Sequence, residues 1–223
     1  MKYSAIILSA GKGVRTGLKM NKNFLVVKGK MIIEYSVDFF KKDPNCCDIV
    51  LVVSTTDFSQ ASSIYKDEDV SVILGGNTRQ ESTFNALNEA VYDDVLIHDA
   101  ARPFIFSPSI SNICSKLSKY SSITLGVKVK DTIQIVEGNR IVKTLDRNKL
   151  IQVQTPQAFK KELLIKAHKL AIEDGFTGTD DTVLMDRYLG ISAFVVEGDY
   201  RNIKLTTKED IKILEVILNE NRA

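Results

Sequence analysis

Residues 9–22 read Ser-Ala-Gly-Lys-Gly-Val-Arg-Thr-Gly-Leu-Lys-Met-Asn-Lys, so glycines alternate with the cations Lys12, Arg15, Lys19 and Lys22. Glycine lets the backbone approach a ligand with its amides free for phosphate oxygens, and the cations suit a polyphosphate. The turn is not a dinucleotide fingerprint, because Thr16 stands where the third glycine belongs, and it lacks the Gly-Lys-Ser/Thr ending of a P-loop. A second glycine turn, Gly75-Gly76-Asn77-Thr78-Arg79, opens a helix whose N-terminus favours anions, and the Ser82 hydroxyl, one turn in, can read a base edge. A third stretch, His98-Asp99-Ala100-Ala101-Arg102-Pro103, sets a carboxylate among small residues. That suits a hard cation such as Mg²⁺ held beside phosphates; the bland alternative is a structural pair of Asp99 with Arg102. His98 alternates to the other side of its strand and reads as a packing residue. Downstream, Arg147, Thr155 and Lys204 offer bidentate, hydroxyl and point-charge contacts to a second anionic group.

These residues need a scaffold, and composition bounds it. The 223 residues are 44% hydrophobic and 26% charged, enough for one substantial core and too few for several ordinary domains. Thirty basic against 28 acidic residues leave +2, too small a bias for a protein that coats nucleic acid. Cys46, Cys47 and Cys114 have no CxxC spacing and read as small apolar packing residues of a reduced compartment. Two histidines, His98 and His168, are too few for a His-rich zinc site. The short apolar run at Ala5–Leu8 is neither a signal peptide nor a membrane span, so a cytoplasmic location is expected.

Apolar runs at Tyr3–Ser9, Asp48–Val53, Val70–Leu74 and Val95–His98 alternate with helical spacing at Ile32–Phe40, Phe58–Tyr65 and Arg79–Val91, the last facing inward through Phe84, Leu87 and Val91. Such alternation predicts an α/β sandwich on a mostly parallel sheet. Ligands of such sheets bind beyond the carboxyl ends of the strands, which gathers Ser9–Arg15, Gly75-Gly76 and Asp99–Arg102. From Ile123 the pattern changes: residues 123–136 and 140–144, joined at Glu137-Gly138-Asn139, predict a β-hairpin that needs something to pack on, such as a second subunit. Helices at Lys161–Glu173 and Thr179–Leu189, a strand at Ala193–Val196 and a final helix from a Thr206–Glu209 cap complete one domain over residues 1–223, with an arm at about 128–147.

The ordered set Ser-Ala-Gly-Lys-Gly-Val-Arg (9–15), Asn-Lys-Asn-Phe-Leu (21–25), Gly-Gly-Asn-Thr-Arg (75–79), His-Asp-Ala-Ala-Arg-Pro (98–103), Asp-Arg-Asn (146–148), Thr-Pro-Gln-Ala-Phe (155–159) and Val-Glu-Gly…Asn-Ile-Lys-Leu-Thr (196–206) resembles the 2-C-methyl-D-erythritol 4-phosphate cytidylyltransferase family. The resemblance implies a Rossmann-like nucleotidyltransferase sandwich with helices on both faces of a twisted sheet. It also implies CMP transfer from CTP to a sugar-alcohol phosphate, Mg²⁺ dependence and a homodimer formed through the hairpin arm. By the same resemblance Arg15 and Lys22 neutralise the triphosphate, and Ser9, Ala10, Gly11, Gly13, Gly75 and Ser82 hold the nucleotide. Asp99 places ribose and metal, and Thr132, Arg147, Thr155 and Lys204 surround the acceptor phosphate. The sister activity on ribitol 5-phosphate is the alternative. The chain departs from the usual pattern at Asn21 and Asn23, where the family has Pro and Gln, at Thr16, where it has Met, and at Ser9, where it has Ala or Gly; loss of the proline would loosen the Lys22 loop.

Overall fold

The computed structural model describes residues 1–11, 21–207 and 209–220. Its centre is a seven-stranded sheet built on β1 (Tyr3–Ser9), whose run of apolar residues is buried on both faces, as a strand sandwiched between helices requires. The elements that follow are β2 (Val26–Val27), β3 (Lys30–Met31), α1 (Ile32–Lys42), β4 (Cys46–Val53), α2 (Phe58–Ile64), β5 (Ser71–Leu74), α3 (Arg79–Glu89), β6 (Asp94–Asp99), α4 (Ser107–Leu117) and β7 (Ser122–Lys128). Then come β8 (Gln134–Glu137), β9 (Arg140–Thr144), β10 (Ile151–Lys160), α5 (Lys161–Glu173), α6 (Asp181–Leu189), β11 (Phe194–Glu197) and α7 (Glu209–Glu220). The sheet order is β11-β7-β10-β6-β1-β4-β5, with β10 antiparallel to both its neighbours and the other pairs parallel.

Alternate residues of the strands feed opposite cores. Ala5, Ile7 and Leu51 meet Ile33, Val37 and Phe40 of α1 and Ile110 and Ile113 of α4 on one face. Ile6, Val50 and Val52 meet Ala86 and Leu87 of α3, Leu164 and Ala167 of α5 and Leu184 of α6 on the other. Each such fully buried aliphatic side chain contributes roughly 1.5–3 kcal/mol, which fixes the register of the strands and hence the height of their carboxyl ends. A third cluster, with Ile32, Phe104, Leu205 and Leu214, lays α7 against that rim.

Two readings need correction, Val91 and the start of the hairpin, and two elements have no counterpart in the sequence pattern. Val91 is 69% exposed and lies beyond α3, whose inner face is Ser82, Thr83, Ala86 and Leu87. α4 is absent from the sequence pattern although Ile110, Ile113, Cys114 and Leu117 have helical spacing; Pro108 sits in its first turn, where a missing N–H is harmless. β10 is masked in the sequence by Pro156, and the ladder to β7 steps across it with a register shift between Gln154 and Gln157. The predicted hairpin forms as β8–β9, turning at Gly138 with φ of 59°, while Ser122–Lys128 pairs in the main sheet. Both hairpin strands are exposed along their length, leaving Ile135, Val136, Ile141 and Val142 uncovered.

Candidate active site

The parallel strands β6, β1, β4 and β5 end side by side, with Leu8 opposite Asp99, Ser9 opposite Val53 and Val53 opposite Leu74. The chain leaves β5 at Gly75, where a Cβ would come within 2.5 Å of the Ala10 Cβ and 2.7 Å of the Ser82 Oγ. Only glycine fits, and the two turns therefore lie against each other. Ser82 is buried; its hydroxyl donates to Thr78 O at 2.8 Å and accepts from Gly76 N at 3.1 Å. Its proton is thus spent on bracing the turn, which leaves a lone pair for a ligand.

Asp99 closes β6, 8% exposed. Its Oδ2 accepts from Lys204 Nζ at 2.6 Å and its Oδ1 from Arg79 Nε at 3.4 Å. Lys204 is brought there because Leu205 N bonds to Ala101 O, so the returning chain runs beside the strand end. Burial works against the ionised carboxylate, yet Arg79, then Lys204, outweigh it and hold Asp99 well below the usual carboxylate range. Arg79 is the first residue of α3, an unfavourable end of the helix for a cation, and its other arm, Nη1, lies 2.6 Å from Asp181 Oδ2, the first residue of α6. Burial opposes the charge on Arg79, but Asp181 and Asp99 together raise its pKa further. Asp181 is itself buried; burial favours its neutral form, Arg79 overrides that, and its pKa falls.

Beneath this row lies a second polar layer. Thr155 Oγ1 accepts from Asp99 N at 3.0 Å and meets His98 Nδ1 at 3.1 Å, while His98 Nε2 meets Arg102 O at 2.8 Å. His98 is fully buried, and burial drives its pKa down to about 4, so at neutral pH it is an uncharged spacer. Asn202 Nδ2 donates to Thr155 O, and Arg102 Nη1 donates to Asn202 O at 2.7 Å. Arg102 N donates to Asp99 O at 2.9 Å, but the Arg102 guanidinium makes no hydrogen bond to the Asp99 carboxylate; Arg79 and Lys204 do.

A strand end where glycine backbone lies beside alternating charges is a setting for a nucleotide, and comparison with known proteins narrows it. The family described as IspD, 2-C-methyl-D-erythritol 4-phosphate cytidylyltransferase, matches residues 3–220. The chain belongs to this family. The enzyme of that name from Geobacillus kaustophilus is 40% identical over 228 residues, covering all of both chains. That from Clostridium tetani is 43% identical over 220 residues, 96% of this chain and 89% of the relative. The crystal structure of 4-diphosphocytidyl-2C-methyl-D-erythritol synthase from Anaerococcus prevotii superposes with a TM-score of 0.87 at 29% identity, over 98% of this chain and 96% of that one.

The residues expected from the cytidylyltransferase pattern fall into three groups. Ser9, Ala10, Gly75 and Ser82 meet at the glycine cradle, with Gly11 exposed beside it. Asp99 and Lys204 stand in the charged row with Thr155 in the layer beneath it, and Lys22 joins the edge by donating to Leu205 O. Thr132 and Arg147 lie exposed at the root of the arm, where Arg147 Nη1 donates to Lys130 O at 2.9 Å; among the described residues no hydrogen bond or ion pair links them to Asp99. Lys12, Gly13, Arg15, Thr16 and Lys19 lie outside the described residues. The departures from the family pattern form their own support. Asn21 Nδ2 donates to Ser9 O at 3.0 Å and Asp57 Oδ2 at 2.7 Å, its side chain caps the turn Lys22–Phe24, and Asn23 Nδ2 donates to the Ser9 hydroxyl at 2.9 Å. These bonds anchor the Lys22 turn where the family has its proline. Asp181 and His168 escape sequence reasoning, since no spacing relates them to Arg79 or Asp99.

Proposed function

We propose that this protein transfers CMP from CTP to 2-C-methyl-D-erythritol 4-phosphate and releases pyrophosphate. The observation that carries the reading is the Lys204–Asp99–Arg79 row at the carboxyl ends of β1 and β6, beside the glycine cradle. A phosphate oxygen of the acceptor attacks the α-phosphorus of CTP, forming a P–O–P linkage, while the bond to the β-phosphate breaks and its electrons leave with pyrophosphate. Two polyanions must meet, so positioning and charge stabilisation are the main requirements. The backbone at Gly75-Gly76 takes the cytosine, with the Ser82 lone pair as a supplementary acceptor. Lys22 and Arg15 neutralise the triphosphate, and Asp99 orients the ribose. Thr155 and Lys204, with Thr132 and Arg147 from the arm, hold the acceptor phosphate. The names carried by the relatives favour the methylerythritol acceptor over ribitol 5-phosphate.

Magnesium fits this site in one form only. Among the described residues no group of three or more His, Cys, Asp or Glu side chains could hold a metal, whereas a single carboxylate such as Asp99, completed by phosphate oxygens and water, is an ordinary Mg²⁺ environment beside a nucleotide. The ion would supply charge neutralisation at the phosphates. The exposed apolar arm supports a homodimer in which residues 128–147 of each chain reach the other, one nucleotidyltransferase domain per chain. No helix among the described residues is long and apolar enough to cross a membrane, in keeping with a cytoplasmic place.

The test is pyrophosphate release from CTP with methylerythritol 4-phosphate and with ribitol 5-phosphate. Release with the first, far exceeding that with the second, is expected. Turnover of ribitol 5-phosphate alone, or of neither, overturns the assignment.

A further inference from the structure

The charged row does not stop at the cleft. Beyond Arg79 it continues through Asp181 to His168 on the inner face of α5, so that Lys204, Asp99, Arg79 and Asp181 alternate in sign and end on a buried imidazole. His168 Nε2 lies 3.1 Å from Asp181 Oδ1, its ring stacks on Phe84 of α3 at 5.7 Å between centroids, and its Nδ1 has no partner among the described residues. Asp181 therefore has each oxygen assigned, Oδ1 to His168 and Oδ2 to Arg79, and cannot rotate without losing one of them. Its helix start is held from two sides. Gln157 of β10 donates to the Asp180 cap at 3.1 Å, and Gln80 of α3 bonds to both Phe176 O and Gly178 N in the loop before α6.

Arg79 in turn has two acids to serve with one guanidinium. Its geometry toward Asp99, a single 3.4 Å contact from Nε, is weaker than the 2.6 Å contact to Asp181. The orientation of Arg79 is thus set from the α6 side, and Asp99 receives what that orientation allows. An arrangement that served only to staple α3 to α6 would have no need to end on the carboxylate at the cleft.

We infer that Asp181 is a positioning residue which, locked by His168, aims Arg79 at Asp99 and so presets the carboxylate for the nucleotide. The inference rests on the proposed use of CTP. It extends that reading to groups that do not touch the substrate.

A double-mutant cycle tests it, with CTP affinity measured by calorimetry on the intact protein alongside steady-state turnover and thermal unfolding. Asp181→Asn is expected to weaken CTP binding by roughly 10–100-fold, the scale for removing a partner that orients a ligand-bearing group, with the acceptor KM unchanged. Arg79→Gln should lose at least as much, and adding Asp181→Asn to Arg79→Gln should change CTP affinity no further, because the second residue acts through the first. His168→Gln, whose amide can still donate to Asp181, should stay within a few-fold of wild type, whereas His168→Leu should not. The histidine pair also serves if Asp181→Asn does not fold. Additive losses, or a lower melting temperature with CTP affinity untouched, would overturn the inference. Intact CTP binding and coupling without product would instead count against the acceptor.

Discussion

The cleft and the arm are built on opposite plans. In the cleft, the Asp99 carboxylate and the Thr155 hydroxyl have partners, and most of those partners have partners of their own: Lys204 and Arg79 on Asp99, Asp181 on Arg79, His98 and Asp99 N on Thr155. On the arm, Ile135, Val136, Ile141 and Val142 face outward, uncovered by any described residue of this chain, and Arg147 is anchored to the backbone at the arm's own root. A folded chain has every reason to finish a charged cluster internally, since an unpaired buried charge is expensive. It has no reason to leave a ribbon of β-branched residues in water unless another surface covers it. The difference is between a charged cluster paired within one chain and an apolar arm left exposed, which is the ground for the proposed homodimer.

The contrast can be broken at either end. The largest effect is expected at Lys22: Lys22→Ala should lower turnover by ~10²–10³-fold, the scale for losing one preorganised charge-stabilising group, and activity within a few-fold of wild type would remove Lys22 from the chemistry. Next comes the layer under the cleft. Because the pKa of His98 is depressed to about 4 in the fold, only the unfolded chain takes up that proton between about pH 6.5 and 4. Stability is then intact above about pH 6.5 and falls as the pH drops, by about 2–3 kcal/mol at about pH 4.5. Urea unfolding at about pH 7 and about pH 4.5 should show that loss in the wild type and a shallower one in His98→Gln; equal slopes would deny His98 its buried neutral state. Asp99 acts at lower pH, since its stabilisation is lost only as pH falls below the ordinary carboxylate range.

Smaller still is the effect of Arg147→Ala, expected to raise the acceptor KM by about tenfold, the loss of one surface ionic contact to a phosphate, with the KM for CTP unchanged. An equal rise in both would move Arg147 out of the acceptor subsite. At the foot of the scale, Ile141→Asp should alter the unfolding free energy of a single chain by no more than about 0.5 kcal/mol, as at an exposed site, yet shift sedimentation from dimer toward monomer. A large loss of chain stability would mean that the ribbon packs on its own sheet.

Much of the fold is legible in the order of amino acids. Continuous apolar runs mark β1, β4, β5 and β6, and a glycine or a carboxylate just past several of them tells where ligands sit. What escapes has physical causes. Pro156 in β10 sends a local signal that strand pairing overrides, while Pro108 falls in the first turn of α4, which accepts proline. Arg102 is the partner that proximity in sequence suggests for Asp99, whereas Arg79 reaches the carboxylate from α3 while paired to Asp181 of α6. Nothing local announces Asp181, because its ion pair with Arg79 joins positions 102 residues apart, and His168 meets the row only through Asp181. Asn21, Asn23 and Ser9, each a departure when taken singly, make sense only as a bonded set.

The central claim is that a working site joins the cleft of one chain to the arm of another. Mixing two variants asks this directly: Arg147→Ala, damaged on the arm, and Lys204→Ala, damaged in the cleft, are each purified, unfolded together and refolded in equal amounts, and pyrophosphate release at limiting acceptor is compared with that of each alone. In mixed dimers one of the two sites carries neither lesion, so random pairing should restore roughly a quarter of wild-type sites. No recovery above the average of the two parents would place Arg147 and Lys204 in the same chain's site and contradict the account.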